Sequence, residues 1–430
     1  MNYTENLLRF INASPSSFHA VAGLRSMLDD AGFTELQESR AWDIVPGGSY
    51  YVTRNGSSLI AFRIPTEPGA AQFMLTAAHS DSPTFKLKEF PELDGAGLYT
   101  RINAERYGGM IYDSWFDRPL SVAGRVLVRT ESGIRSKLIK IDRDLLLIPH
   151  IAPHMDSCNE GKAWNPASDL VPLYGEASAK GSFLPLIAEA AGVKPEDLLT
   201  HELFLYSRQP ASVWGANDAF LSAPRLDDLE CAYSCVQALI EADAPKAIAA
   251  AAVLDNEEVG SGTRQGAAST FLSDVLSRIC DAFGSDLRIA AASSMLLSAD
   301  NAHAVHPNSP GLADPTHRPK MNGGVVLKWN AAQTYTTDAV SAAIFREICR
   351  RADVPVQSFA NRSDMRGGST LGNIAMRQVS MMAVDIGLAQ LAMHSSYETA
   401  GAADAAHMIG AMRAFYGTRL TLSGGDIAIG

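Results

Sequence analysis

The chain has 430 residues, 47% of them hydrophobic and 19% charged, a balance that argues against disorder or a fibrous class and leaves room for two domains with a sizeable core. Its formal net charge of −11, with Lys and Arg scattered rather than gathered into a stripe, argues against nucleic acid or anionic membrane surfaces as partners. The longest apolar stretches, such as Ala247 to Leu254, fall far short of the ~20 residues that a membrane helix needs.

The N-terminal stretch MNYTENLLRFINASPSSFHAV places acidic and polar residues where an export signal would have basic ones followed by a long apolar run, so a cytoplasmic protein is expected. Five cysteines (Cys158, Cys231, Cys235, Cys280, Cys349) without paired metal-ligand spacing fit reduced thiols. Cys231 and Cys235, four apart on an expected helix, read as packing residues. Helical periodicity covers Tyr3 to Ile11 and Ser17 to Ala31, with Ser16 or Ser17 as the cap and Gly32 as the stop. Strand-like runs follow at Ser49 to Arg54, Leu59 to Ile64 and Gln72 to Ala78. The last is apolar at consecutive positions, as in a strand buried on both faces.

Between roughly Lys88 and Pro224 the pattern changes. Arg125 to Arg129 and Lys137 to Asp142 alternate polar with apolar residues, the period of half-exposed antiparallel strands, and Gly108-Gly109 and Ser132-Gly133 read as turns. Ala211 to Ala223 reads as a return linker. Buried-strand runs then recur at Ile248 to Leu254, Ile289 to Leu297 and Ser380 to Val384, separated by helical Ala232 to Ala242 and Thr336 to Ala352. The expected fold class is α/β: residues 1–87 and 225–430 form a discontinuous α/β domain, and residues 88–224 form a mostly β domain inserted into it.

Residues able to ligate metal recur where the buried runs end. His79-Ser80-Asp81 follows the first, and a carboxylate two residues beyond a His can hold that ring's other nitrogen. Asp255-Asn256-Glu257-Glu258 follows the next and packs three carboxylates into four residues, a crowding that calls for nearby positive charge. Adjacent Glu residues can divide the work there, one binding metal and the other taking a proton from water. Asp300, His303 and His306 follow the third run, His394 follows the fourth, and Asp227-Asp228 lies where the chain returns from the β-rich stretch. Each cluster has a bland reading as a surface turn or a satisfied strand-end His. Independent turns, however, have no reason to supply His, Asp and Glu at successive strand ends.

The motifs HSDSP, PRLDD, DNEEVGSG, SADNAHAVHPN, SDMRGGSTLG and LAMHS, in this order, resemble the M18 (aspartyl aminopeptidase-like) aminopeptidases, a branch of the co-catalytic zinc peptidases. The resemblance spans essentially the whole chain. It implies a phosphorylase/hydrolase-like α/β sheet with an inserted β-rich dimerisation domain. It also implies removal of single residues from the N-termini of peptides by water activated between two divalent ions, Zn2+ first, with Mn2+ or Co2+ as alternatives. Carried over by position, His79 and Asp300 bind one ion, Glu258 and His394 the other, and Asp227 bridges both. Glu257 is the general base and Asp81 orients His79. His303 and His306 match family histidines that do not bind metal.

The resemblance further implies a homo-oligomer, a tetrahedral dodecamer built from dimers. In the segment Ile148 to Met155, His154 would reach a neighbouring subunit's site. Family members that prefer acidic N-terminal residues carry basic side chains in the segment that here reads Lys328 to Tyr335, yet this chain has Ala332 and Thr334. Either neutral N-termini are cleaved, or Lys328 or Arg366 supplies the charge for an Asp/Glu preference. A deacylase or other amidohydrolase on the same scaffold is the nearest rival reading, and a catalytically silent binding protein a more distant one.

Overall fold

The computed structural model of the chain describes residues 2–155 and 163–430, which leaves Cys158 outside the described residues. Phe73–His79 and Ile248–Leu254 lie side by side and parallel within a nine-stranded sheet, and every residue of both is buried. Such strands are apolar at consecutive positions because helices cover both faces of the sheet. On one face Tyr3–Ala13, Ser17–Asp30, Leu226–Ile240, Ala339–Arg351 and Asp404–Tyr416 bury Leu7, Leu24, Leu229, Phe345 and Phe415 in one core with Met74 and Val253. On the other, Phe271–Ala282, Leu287–Ser293 and Leu371–Ala375 bury Phe271, Ala290 and Leu371 with Leu75 and Ala252.

The strand order across this sheet is 34–36, 49–54, 58–63, 248–254, 73–79, 295–299, 382–387, 325–329, 356–360. The four strands from 248–254 to 382–387 are mutually parallel, so their carboxyl ends share one edge: Leu254 pairs with His79, and Ala299 with Ile386. That edge is where open α/β sheets bind ligands.

Several segments differ from their sequence reading. Ile289 to Leu297, read as one strand, is the helix Leu287–Ser293 followed by the strand Met295–Ala299. Asp286 caps that helix by accepting from Arg288 N, and the alanines then favour it. The strand consequently ends later and delivers Asp300 straight to the sheet edge. Ala211 to Ala223, read as a linker, carries the strands Ser212–Trp214 and Phe220–Ala223. These join Glu398–Gly401, Ala389–Leu391 and Ala302–His303 in a five-stranded sheet. The helix read from Ala232 begins at Leu226, and Asp227 and Asp228 stand in its first turn with non-helical backbone angles.

A separate six-stranded sheet is built from Thr84–Gly95, Tyr99–Tyr107, Leu120–Thr130, Gly133–Lys140, Leu173–Glu176 and Leu198–Ser207. Its pairings are antiparallel, and Phe85, Val126, Phe183 and Leu203 form a core of its own. Phe90, Leu98, Ile134 and Leu199 stay exposed on it. Cys231, Cys235, Cys280 and Cys349 are free and buried. Among the described residues no helix is long and apolar enough to cross a membrane.

Candidate metal centre

Five segments deliver acidic and imidazole side chains to the edge where the parallel strands end. His79 is the last residue of its strand, and Asp300 immediately follows Met295–Ala299. Glu257 and Glu258 occupy a single 3-10 turn just beyond Ile248–Leu254, and Asp227 stands at the start of Leu226–Ile240. His394 lies in the loop between Ala389–Leu391 and Glu398–Gly401. All six line one cleft of about 820 Å³, counted to its open mouth, together with Asn301, His303, Lys328, Tyr335, Phe359 and Thr370.

Asp227 lies at the middle of the group. Its Oδ1 is 3.3 Å from His79 Nε2 and its Oδ2 is 3.4 Å from His394 Nε2, so one carboxylate faces two imidazoles with different oxygens. Ligand atoms of His79, Asp227, Asp228 and Asp300 lie within 4.8 Å of one another, as do those of Asp227, Glu258 and His394, and those of His79, Glu257 and Glu258. His79 Nδ1 is 3.0 Å from the carbonyl oxygen of Asp81, which can only accept, so Nδ1 carries the hydrogen and Nε2 is turned toward the carboxylates.

Buried carboxylates fix the backbone beneath these side chains. Asp81 accepts from the amides of Glu257 (3.1 Å) and Glu258 (3.2 Å), and Asp228 accepts from the amide of His79 (3.0 Å). Glu398 accepts from the amides of Asp227 (3.1 Å) and His394 (2.8 Å). His394 has φ 67°, in the left-handed region, at a cost of roughly 1–2 kcal/mol for such a residue. Its backbone is held from both sides, by Glu398 at the amide and by Ile111 N at the carbonyl oxygen (3.1 Å). Gly387 lets the neighbouring strand run close beneath Asp300, because a Cβ there would stand 2.1 Å from the Asp300 carbonyl oxygen.

The cluster is short of positive charge. Burial, reinforced by Asp300, Asp81 and Asp227 against the pull of His79, pushes Glu257 up to about 8; burial and Asp227 push Glu258 well above the carboxylate range. Asp300 is raised by burial to about 6 despite the pull of Lys328. Asp227 goes the other way: burial works against its charge, but His394 and His79 hold it below the usual range. His79 is raised in turn, because Asp228, Asp227 and Asp81 outweigh the burial of its ring. Asp227 Oδ1 and Glu258 Oε1 are buried without a hydrogen bond. A buried carboxylate oxygen in that condition is costly unless a cation meets it, so this donor set of two imidazoles and several carboxylates fits divalent metal.

The remaining expected site residues fall elsewhere. Asp81 meets His79 chiefly through its carbonyl oxygen, its carboxylate Oδ1 being 3.4 Å from Nδ1 and occupied by the glutamate turn. Lys328 reaches the cleft wall, but its Nζ donates to the carbonyl oxygens of Asp300 (2.8 Å) and Asn301 (3.2 Å) and lies 3.8 Å from Asp300 Oδ2. Arg366 is exposed and absent from the cleft lining. His154 is exposed in the stretch from Ile151 to Met155, also outside this cleft. His303 lines the cleft with its ring 5.9 Å from that of Phe359, and His306 is exposed. Sequence reading grouped Asp228 with Asp227 as a carboxylate able to meet metal and gave no supporting role to it or to Glu398, although each stands within four residues of a candidate ligand, where supporting carboxylates are commonly found.

The family model for the aminopeptidase I zinc metalloprotease (M18) matches residues 10–416 of the chain. A probable M18 family aminopeptidase 2 of Clostridium acetobutylicum is 42% identical over 427 residues, covering 97% of this chain and 99% of the relative. Among solved structures, Ape4 in its complex with Nbr1 superposes with a TM-score of 0.94 at 36% identity, covering 97% of this chain and 85% of that one. The mApe1 dodecamer of S. cerevisiae superposes with a TM-score of 0.85 at 29% identity, covering 96% of each chain.

Proposed function

The chain belongs to the M18 family of metalloaminopeptidases, hydrolases that act on peptide bonds, and from that premise we propose that it removes single N-terminal residues from peptides at the cleft around Asp227. His79 and Asp300 would hold one divalent ion, Glu258 and His394 a second, and Asp227 would serve both. The observation that carries this reading is the two-sided Asp227 carboxylate, whose oxygens face His79 and His394 at 3.3 and 3.4 Å. Bound there, a pair of divalent ions, Zn2+ first, supplies Lewis-acid activation of water and of the scissile carbonyl.

The chain's own groups do the rest. Glu257, half-buried at the cleft wall, takes the proton of the attacking water and delivers it to the leaving nitrogen. Asp81 keeps the glutamate turn in place through its two amides. The carboxylate of Glu398 holds the backbones of Asp227 and His394 in register with each other.

Neutral N-terminal residues are the substrates we favour. Lys328 spends its donors on Asp300 and Asn301, and Arg366 lies outside the cleft, so among the described residues no free cation of the cleft lining is left to face an acidic side chain. We place the protein in the cytoplasm as a homo-oligomer, a dodecamer built from dimers, with 88–224 as the pairing domain of the scheme. The exposed Phe90, Leu98, Ile134 and Leu199 of its sheet support a pairing role, as does the dodecameric state of the similar S. cerevisiae protein.

Hydrolysis of a panel of aminoacyl reporter amides and their N-acetylated counterparts, after chelation and reconstitution with Zn2+, Mn2+ or Co2+, tests the reading. Metal-dependent cleavage of the free-amine compounds alone is expected. Faster cleavage of the acetylated set would make the protein a deacylase or acyl-amidase instead.

A further inference from the structure

Tyr107 ends the strand Tyr99–Tyr107, where the six-stranded sheet meets the metal centre. Its hydroxyl donates to Asp81 Oδ2 (2.7 Å) and accepts from Asn256 Nδ2 (2.8 Å). Asp81 in turn accepts from the amides of Glu257 and Glu258, so the hydroxyl is one residue removed from the backbone of the proposed base. Asn256 begins the same turn at φ 63°, and its Oδ1 accepts from Thr263 Oγ1 and Gln265 Nε2, both at 2.8 Å. The next residue, Gly108, lies at φ 77° against Glu258, where a Cβ would stand 3.1 Å from that of the glutamate. The Tyr107 ring packs edge-on to Phe204 of the same sheet, with centroids 5.6 Å apart.

We infer that Tyr107 is a positioning residue for the general base: its hydroxyl ties Asp81 to Asn256 and so fixes the start of the turn that aims Glu257 into the cleft. The inference rests on the reading of Glu257 as that base. It gives the six-stranded sheet a part in catalysis within its own subunit, separate from any part in pairing. The hydroxyl is needed rather than the ring, because only the hydroxyl can donate to a carboxylate and accept from an amide at once. A loosened turn lets Glu257 leave its productive position, and rate is sensitive to displacements well below the size of an atom.

The test compares Tyr107→Phe, Phe204→Leu, Glu257→Gln and the double variant Tyr107→Phe/Glu257→Gln in the metal-loaded full-length protein. Tyr107→Phe should lower kcat about tenfold while KM stays within about twofold, with bound metal, measured by elemental analysis, at the parent level. Added to Glu257→Gln, the same change should cost less than about twofold, because the group it positions is already gone. Phe204→Leu should lower the thermal midpoint and leave kcat within about twofold.

A Tyr107→Phe enzyme with parent kcat overturns the inference, as does a full tenfold loss on top of Glu257→Gln or a Phe204→Leu variant equally impaired in kcat. Loss of metal in Tyr107→Phe also overturns it, since the residue would then support ligands rather than the base. A Glu257→Gln protein with parent activity overturns the reading of the base itself, a result distinguishable from all of these.

Discussion

The nine-stranded sheet and the six-stranded sheet stand in opposite relations to the chemistry. Strand ends, helix starts and loops around the first bring together His79, Glu257, Glu258, Asp300, Asp227 and His394. The second contributes none of these side chains, yet Tyr107, Gly108 and Ile111, at and just beyond its strand Tyr99–Tyr107, touch the backbone or support of three of them. On the proposed reading, one region holds the reacting groups and the other supports them. Substitutions in the two regions should therefore fail differently, the first in chemistry and the second in geometry or assembly.

The largest expected effect sharpens this contrast from the catalytic side. Glu257→Gln keeps the shape of the side chain and leaves the amide that donates to Asp81 untouched, so the fold and metal content should persist while kcat falls by about 10²- to 10⁴-fold. Steady-state kinetics beside elemental analysis checks it. Near-parent turnover in a folded, metal-loaded variant would end the assignment of Glu257 as base and with it the division of labour between the sheets.

The contrast also explains what could be read from sequence. Ile248 to Leu254 was legible to the residue because a strand covered on both faces leaves an unbroken apolar run, and the acidic turn after it could then be placed at the sheet edge. The candidate ligand His79 was legible for the same reason, whereas the strand that delivers Asp300 begins at Met295 and not at Ile289, where the apolar run was read to start. The helix at Leu287–Ser293 was not, because its alanines and isoleucine suit a buried strand as well, and only the Asp286 cap distinguishes them. Asp228 was legible only as a candidate ligand beside Asp227, and Glu398 was given no role, because what each does is accept backbone amides, which no side-chain pattern announces. Tyr107 could not be found by spacing, since its partners Asp81 and Asn256 are 26 and 149 residues away.

A smaller effect tests the β-rich side. His154 is exposed and outside the cleft of its own chain, so any part in catalysis must be played at another subunit's site. There its imidazole would donate to the oxygen that gains charge in the transition state, and His154→Ala should lower kcat by about 10²-fold. Subunits carrying His154→Ala and subunits carrying Glu257→Gln, dissociated and reassembled together, should regain activity, because some pairs then contain one intact composite site. Mixed particles verified by mass measurement that stay inactive would confine the six-stranded sheet to its own subunit.

The smallest expected effects concern the two basic residues near the cleft, and they differ for a structural reason. Lys328 is buried, its charge held well above the usual lysine range by Asp300 against the cost of burial, and it satisfies two carbonyl oxygens at the edge that carries Asp300. Lys328→Met removes those donors and should cost about 1–3 kcal/mol of stability, the scale of buried acceptors left unpaired, seen as a lower thermal midpoint. Arg366 touches nothing in the cleft, so Arg366→Ala should shift kcat/KM for aspartyl and leucyl amides alike by less than about twofold. The ratio of those two substrates is the deciding measurement. A tenfold loss confined to the aspartyl amide in Arg366→Ala would mean that this exposed arginine reads an acidic side chain, and that the cleft of one chain is not the whole of the specificity site.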